Sequence, residues 1–247
     1  MNKKKIIICI LILIIFALIL IFTYSKINYY KTEKAMYELI QNINTYDNLY
    51  VHTVQTSSIY GTTECDRYWK NNTFVYIDDS GRAYTNSNEK QFISINENEK
   101  SIYISENDIA NSLNITNKAM IFSGILPQDN SENFAECSYV GIENINNKSC
   151  YKMDINHKFQ EKKATIWIEI ETGFVLKYEN LFNGELITYE HTFEIETTTD
   201  DDVKKPDIKS YKDSGKYKFI YKNYKSNGEC EVTCEEISGE KYTYIEK

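Results

Sequence analysis

Apolar and polar positions change their spacing several times along this chain. Ile6 to Phe22 is an uninterrupted apolar run, IIICILILIIFALILIF, set behind MNKKK. TEKAMYELIQNI (Thr32–Ile43) then places Met36, Leu39, Ile40 and Ile43 on one stripe at helical spacing, which predicts an amphipathic helix. Beyond it the period drops to two. YVHTVQTSSIYG, TECDRYWKNNTFVYIDD, RAYTNSNEKQFISINE and KSIYISE are short aromatic and β-branched runs divided by Asn, Asp, Ser and Gly clusters, with DDSG (Asp78–Gly81) the clearest turn. From Asn107 to about Leu126 the spacing becomes helical again through Ile109, Leu113, Met120 and Phe122, and Pro127 closes that section. Strands resume in CSYVGIENINNKSCYKMDI, a predicted hairpin, and continue to about Thr197. A polar connector (Thr197–Lys212) leads to three more short strands: KYKFIYKNY, ECEVTCEEI and KYTYIE. The pattern predicts a mainly β (α+β) chain.

The stretch TIWIEIETGFVLKYENLFNGELITYEHTFEI (165–195) fixes a register by itself. Asn183-Gly184 is a strong two-residue hairpin signal, and it pairs Leu176 with His191, Lys177 with Glu190 and Tyr178 with Tyr189. A three-residue loop, Glu171-Thr172-Gly173, pairs Ile170 with Phe174 and Ile168 with Leu176. One face then carries Ile166, Ile168, Ile170, Phe174, Leu176, Tyr178, Ile187, Tyr189, Phe193 and Ile195. The other carries Thr165, Glu169, Lys177, Glu179, Thr188, Glu190 and Thr192. A slip of one residue would scramble this separation. Such an apolar face requires a cover, and the sequence offers few helices to supply it. Trp167 falls on the polar face, where packing against the tail or a neighbouring loop is expected.

The apolar run changes the picture from soluble to tethered. With Thr23 and Tyr24 it reaches about 28 Å as a helix, close to a hydrocarbon core of ~30 Å. The following TYSKINYY offers no small-x-small cleavage site, so an uncleaved single-pass anchor is expected rather than a cleaved signal. Lys3, Lys4 and Lys5 hold the N-terminus inside, placing the rest outside the membrane. There Cys65, Cys137, Cys150, Cys230 and Cys234 form an odd set. Cys230 and Cys234 lie too far apart along one strand to bridge, about 13 Å. Bonds between strands and free thiols both remain open.

Charge and motifs exclude more than they suggest. A net charge of −8 disfavours nucleic-acid binding. No G-x-S-x-G, H-E-x-x-H or phosphate-loop pattern occurs. His52, His157 and His191 show no ligand spacing. Ser87-Asn-Glu-Lys90 has S-x-x-K spacing without companion motifs, and Asp200, Asp201 and Asp202 lack the Gly and terminal Glu of a calcium loop. No catalytic residue, metal site or cofactor is expected.

WIEIETGFVLKYE (Trp167–Glu179) resembles the W-I-D-x-E-T-G-x-P-L-K segment of the lipoprotein-carrier (LolA-like) superfamily, with Val175 in place of its Pro. YWKNNTFVYIDD (Tyr68–Asp79), NKSCYKM (Asn147–Met153) and the connector DDVKKPDIKSY resemble members of the same group, over about residues 32–212. The resemblance implies an open, strongly curved antiparallel half-barrel with a few helices packed in its mouth, often lined to bind acyl chains. The apolar run and its lysines make residues 1–5 cytoplasmic and 6–24 a transmembrane anchor, the resemblance makes 32–212 the half-barrel, and the strand pattern makes 213–247 a β-meander extension. The expected function is a non-catalytic, extracytoplasmic one: holding a lipid or lipoprotein acyl chain on Ile166, Ile168, Ile170, Phe174, Leu176, Tyr178, Ile187, Tyr189 and Phe193. The alternative is a module of the cell envelope, or of sporulation and germination as in the GerS-type branch, that docks a partner protein such as a cell-wall hydrolase. Whether Met36, Leu39, Met120 and Phe122 fill the half-barrel separates the two.

Overall fold

The computed structural model describes residues 3–41, 46–106, 135–157, 163–182, 184–225 and 228–246. It begins with one long helix, α1 (Lys3–Gln41). The apolar run and the amphipathic segment are therefore a single element. Nothing between them breaks a helix: residues 23–31 contain neither Gly nor Pro. Thr23 and Thr32 each donate a hydroxyl hydrogen bond to the carbonyl four residues back, Ile19 and Asn28.

The strands are β1 (Asn48–Ser57), β2 (Gly61–Lys70), β3 (Thr73–Asp78), β4 (Gly81–Asn86), β5 (Gln91–Asn96), β6 (Ser101–Glu106), β7 (Ala135–Ile145), β8 (Lys148–His157), β9 (Lys163–Glu169), β10 (Val175–Phe182), β11 (Glu185–Ile195), β12 (Lys218–Tyr224), β13 (Cys230–Glu235) and β14 (Lys241–Glu246). They form one open, curved 14-stranded sheet in the order β14-β13-β12-β6-β5-β4-β3-β2-β1-β11-β10-β9-β8-β7. The final three strands extend this sheet. β12 joins it parallel to β6, the one parallel pairing among the described strands. The helical stretch expected at 107–126, with Met120 and Phe122, lies outside the described residues.

The sheet buries opposite faces in its two halves. Across β1 and β7–β11 the buried face carries Leu49, Val51, Met153, Ile166, Ile168 and Tyr178, and Met36 of α1 packs into the same cluster with no exposed surface. Across β3–β6 and β12 the other face is buried: Val75, Tyr84, Ile93, Ile102 and Phe219. Its cover is the connector that reads as merely polar in sequence. Val203, Ile208 and Tyr211 reach down from it, the last two on a short helix, α2 (Ile208–Ser214). Asp207 caps α2 by accepting from the Lys209 and Ser210 amides, and Gly215 ends it in the left-handed conformation. The signals for α2, a capping Asp after Pro206 and a Gly eight residues on, are present in the sequence.

The 165–195 register holds with one correction. Lys177 pairs with Glu190, Tyr178 with Tyr189, Trp167 with Lys177 and Ile166 with Tyr178. Near the turn, however, Ile168 pairs with Val175 instead of Leu176, and the register shifts between Val175 and Lys177. Leu176 is the extra residue of this bulge, which buries Val175 and Leu176 together. Ile170 and Phe174 accordingly belong to the turn and do not pair; the Glu169 amide donates to the Phe174 carbonyl, and Gly173 takes a positive φ of 77°.

Candidate functional site

Pairing across the sheet places Leu49, Val51, Thr53 and Gln55 of β1 on the same face as Arg67 and Cys65 of β2 and Tyr189, His191 and Phe193 of β11. This face changes character along β1. Toward Leu49 it is closed and aromatic. Phe174 stacks on Phe193 with ring centres 4.3 Å apart, and Tyr46 lies against Phe174 at 5.3 Å. Ile166, Ile168, Phe174 and Leu176 are buried in this packed cluster, with Ile170 and Leu39 against it. Tyr178 stacks on Tyr189 at 5.4 Å, and burial, then the neighbouring Tyr189, pushes its phenol up to about 12. Ile187 lies further out, opposite Asn180 and Ser57. Met36 and Leu39 thus fill one end of the face.

Toward the far ends of β1 and β2 the same face opens. A cavity of about 290 Å³ lies there, lined by Thr53, Gln55, Thr63, Cys65, Arg67, Tyr76, Asp78 and Tyr189, with Glu64, Asp79, Ser80 and Asn98 around it. Of the nine residues assigned to ligand binding from sequence, Tyr189 borders this cavity; Tyr178 stacks on Tyr189 one contact further in, and Phe193 lies behind His191.

A chain of hydrogen bonds organises the polar wall. Arg67 donates from its guanidinium to the Thr53 hydroxyl at 2.6 Å, and that hydroxyl lies 2.9 Å from Nδ1 of His191. Burial, together with the Arg67 charge, holds the His191 imidazole down to about 4, so it is neutral at physiological pH. The Arg67 guanidinium also stands over the Tyr76 ring at 5.4 Å. Tyr76 in turn donates to Asp78, whose other oxygen accepts from the Ser80 hydroxyl and the Ser80 and Gly81 amides. Burial and this bond push the Tyr76 phenol up, and the four donors together hold Asp78 below the usual carboxylate range. Arg67 and Thr53 were not singled out by sequence reasoning. The available signal was that Arg67 is one of only two arginines and alternates onto the face of β2 that β1 shares.

The opposite face explains Trp167. It is buried, and among the described residues two lysines stand over its ring: the ammonium groups of Lys152 and Lys177 lie 5.1 and 4.9 Å from its centre. Its indole N–H donates to Glu143 at 2.8 Å, and Glu143 also pairs with Lys152. Lys177 makes its ion pair with Glu179, at 2.6 Å, although Glu190 is its cross-strand partner. Cys65, Cys150, Cys230 and Cys234 are free thiols. Among the described residues no group of three or more His, Cys, Asp or Glu is placed to hold a metal ion. Ser87–Lys90 forms the turn between β4 and β5.

No protein-family model matches the chain. No curated protein matches it either. Among solved structures, the MucA/MucB complex of Pseudomonas aeruginosa is similar at 10% identity, over 88% of this chain and 79% of that one, with a TM-score of 0.41. The Mycobacterium tuberculosis lipoprotein LppX aligns at 8% identity over 67% and 93% of the two chains, with a TM-score of 0.38. A LolA superfamily protein from Nitrosomonas europaea aligns at 8% identity over 70% and 97%, with a TM-score of 0.29.

Proposed function

We propose that this chain is a membrane-tethered, non-catalytic binding module that holds the acyl chain of an amphiphile on the exposed part of its β1–β2–β11 face. The observation that carries this reading is the continuity of that face: two stacked pairs, Phe174–Phe193 and Tyr178–Tyr189, lie along it with His191 between them, and Tyr189 borders the open cavity. An acyl chain laid along these rings would exchange water for apolar contact, worth about 0.8 kcal/mol per methylene. Ile166, Ile168, Ile170, Phe174 and Leu176 form the floor of the site in this account, with Ile187 at its outer margin.

The length and composition of α1 support the tether. Leu13–Met36 is long and apolar enough to cross a membrane or to act as a signal sequence. As an uncleaved anchor, with its lysine-rich start inside, it leaves the bilayer near Tyr24. Tyr29 already donates from its hydroxyl to the Tyr139 carbonyl of β7 at 2.7 Å. Only about 8 Å of helix separates these two residues. The sheet would therefore stand at the lipid surface, outside the cytoplasm, with no flexible linker. This arrangement suits local handling of lipid and does not suit shuttling.

A second reading, docking of an envelope partner protein, has one observation in its favour. β14 closes one edge of the sheet, and all six of its residues are exposed, Tyr242, Tyr244 and Ile245 among them. Such an edge offers both backbone groups and aromatic anchors.

Native mass spectrometry of the full chain, extracted from its membrane in mild detergent, distinguishes the two. Lipid binding predicts an adduct of acyl-lipid mass that Tyr189→Glu removes while the fold, followed by circular dichroism, persists. A chain free of adduct that also fails to take up added lipid would end the lipid reading.

A further inference from the structure

Arg67 raises a question that the acyl-chain reading leaves unanswered. It is a guanidinium on the β1–β2–β11 face, partly buried, and among the described residues no carboxylate lies within ion-pair distance of it. Its Nε is buried without a hydrogen-bond partner. Thr53 accepts a hydrogen bond from the guanidinium, and the Tyr76 ring covers one side. Leaving the buried Nε without an acceptor is costly, because burial removes water that nothing in the protein replaces.

The nearest acids do not supply that anion. Asp78 shares the cavity wall, yet both its oxygens are taken by Tyr76, Ser80 and Gly81. Asp79 and Glu64 are exposed at the rim, and Glu64 lies 3.8 Å from His52 on the other face. His191, on the inner side, is neutral and adds no second positive charge. The cavity beside Arg67 is also furnished for polar recognition, by Gln55, Thr63 and the Cys65 thiol.

We propose that the Arg67 pocket is a subsite for an anionic oxygen group, a phosphate or carboxylate, carried at the head of the amphiphile whose chain lies along Tyr189, Tyr178 and Phe193. The inference rests on the acyl-chain reading for the chain and on Arg67 for the head. The guanidinium offers its N–H groups not bonded to Thr53 to the anion as charge-assisted hydrogen bonds. Thr53 holds the side chain in place, and Tyr76, bonded to Asp78, holds its plane. The head group sits on the β2–β3 side of the cavity, beside Arg67 and Tyr76, and the chain runs across the sheet toward Tyr189 and Tyr178 on β11 and β10. An amphiphile with a neutral head would leave the guanidinium unpaired and bind less tightly.

Cys65 supplies the readout, because it lines the same cavity two residues from Arg67 on the same strand face. The full chain in phosphatidylcholine nanodiscs is treated with iodoacetamide, and the alkylation rate at Cys65 is followed by peptide mass spectrometry. Octyl phosphate, octanol and inorganic phosphate are the added probes. Octyl phosphate should slow alkylation roughly tenfold at a concentration where octanol has little effect, the difference expected of one charge-assisted contact. Arg67→Gln should erase the difference, and Arg67→Lys, which keeps the charge, should retain part of it. Unliganded alkylation rates in the two variants report whether the pocket still folds, and Arg67→Lys carries the test if Arg67→Gln does not.

Equal protection by octanol and octyl phosphate would overturn the head-group subsite and leave the acyl-chain reading standing. Protection by inorganic phosphate as strong as by octyl phosphate would keep the anion site, assign it to free phosphate and overturn the amphiphile. Protection by none of the three would overturn both.

Discussion

Gly81 shows how little freedom some single positions have. It follows the Asp78–Ser80 turn with φ of 151°, and a Cβ built on it would lie 1.9 Å from the carbonyl oxygen of Ile95 on the neighbouring strand. Backbone cannot retreat as a flexible side chain can, so Gly81→Ala should cost about 3 kcal/mol or more, read as a lowered urea midpoint. An unchanged midpoint would mean that β4 and β5 do not approach in this way. His191 makes a second prediction at this scale. Its folded-state pKa lies near 4, below its ordinary value of 6.5. Between these two values the unfolded chain binds a proton that the folded chain refuses, so stability falls as pH drops from 6.5 toward 4 and levels off below. The loss should total roughly 3 kcal/mol, and His191→Asn should flatten that part of the urea-midpoint profile against pH. The sequence reveals Gly81, as the Gly of a DDSG turn, but not Arg67 or His191. Their roles depend on which residues three strands bring side by side, and a short-range pattern does not carry that information.

At the scale of elements, period and turn chemistry were legible wherever one strand face is apolar. The β9–β11 register survives because sliding it would bury Glu190 and expose Tyr189. The bulge at Leu176 was not legible: Val175 and Leu176 are both apolar, so alternation cannot decide which one pairs with Ile168. The connector was misjudged because α2 is short and contributes only Ile208 and Tyr211 to a core otherwise built from strands. The union of span and amphipathic helix into α1 follows from the absence of any breaker, a signal present but easily passed over. Met36 gives this element its test. It is fully buried between α1 and the sheet. Met36→Ala should destabilise the full chain by about 2–5 kcal/mol in detergent, measured by urea denaturation. A cost below ~0.5 kcal/mol, the usual range for exposed positions, would mean that α1 does not dock on the sheet.

At the scale of the molecule, the open sheet turns one face inward in one half and the other face inward in the other half. One cover is α1 and the other is the connector with α2. This division leaves the β1–β2–β11 face neither fully closed nor fully exposed, and it is there that the cavity forms. The curvature and openness of the sheet agree with the sequence reading, whereas the location of the open site does not follow from it. The apolar residues picked out in 165–195 are mostly the floor and packed core, while the cavity mouth is polar and built mainly from β1 and β2. Photo-crosslinking shows whether an acyl chain lies along this face at the membrane. The full chain in phosphatidylcholine nanodiscs is irradiated with a diazirine-bearing fatty acid, and the adducts are mapped by peptide mass spectrometry. The account predicts adducts on the peptides holding Gln55, Cys65 and Tyr189, lost in Tyr189→Glu. Adducts confined to the apolar run Ile6–Tyr24, with none on the sheet, would contradict it.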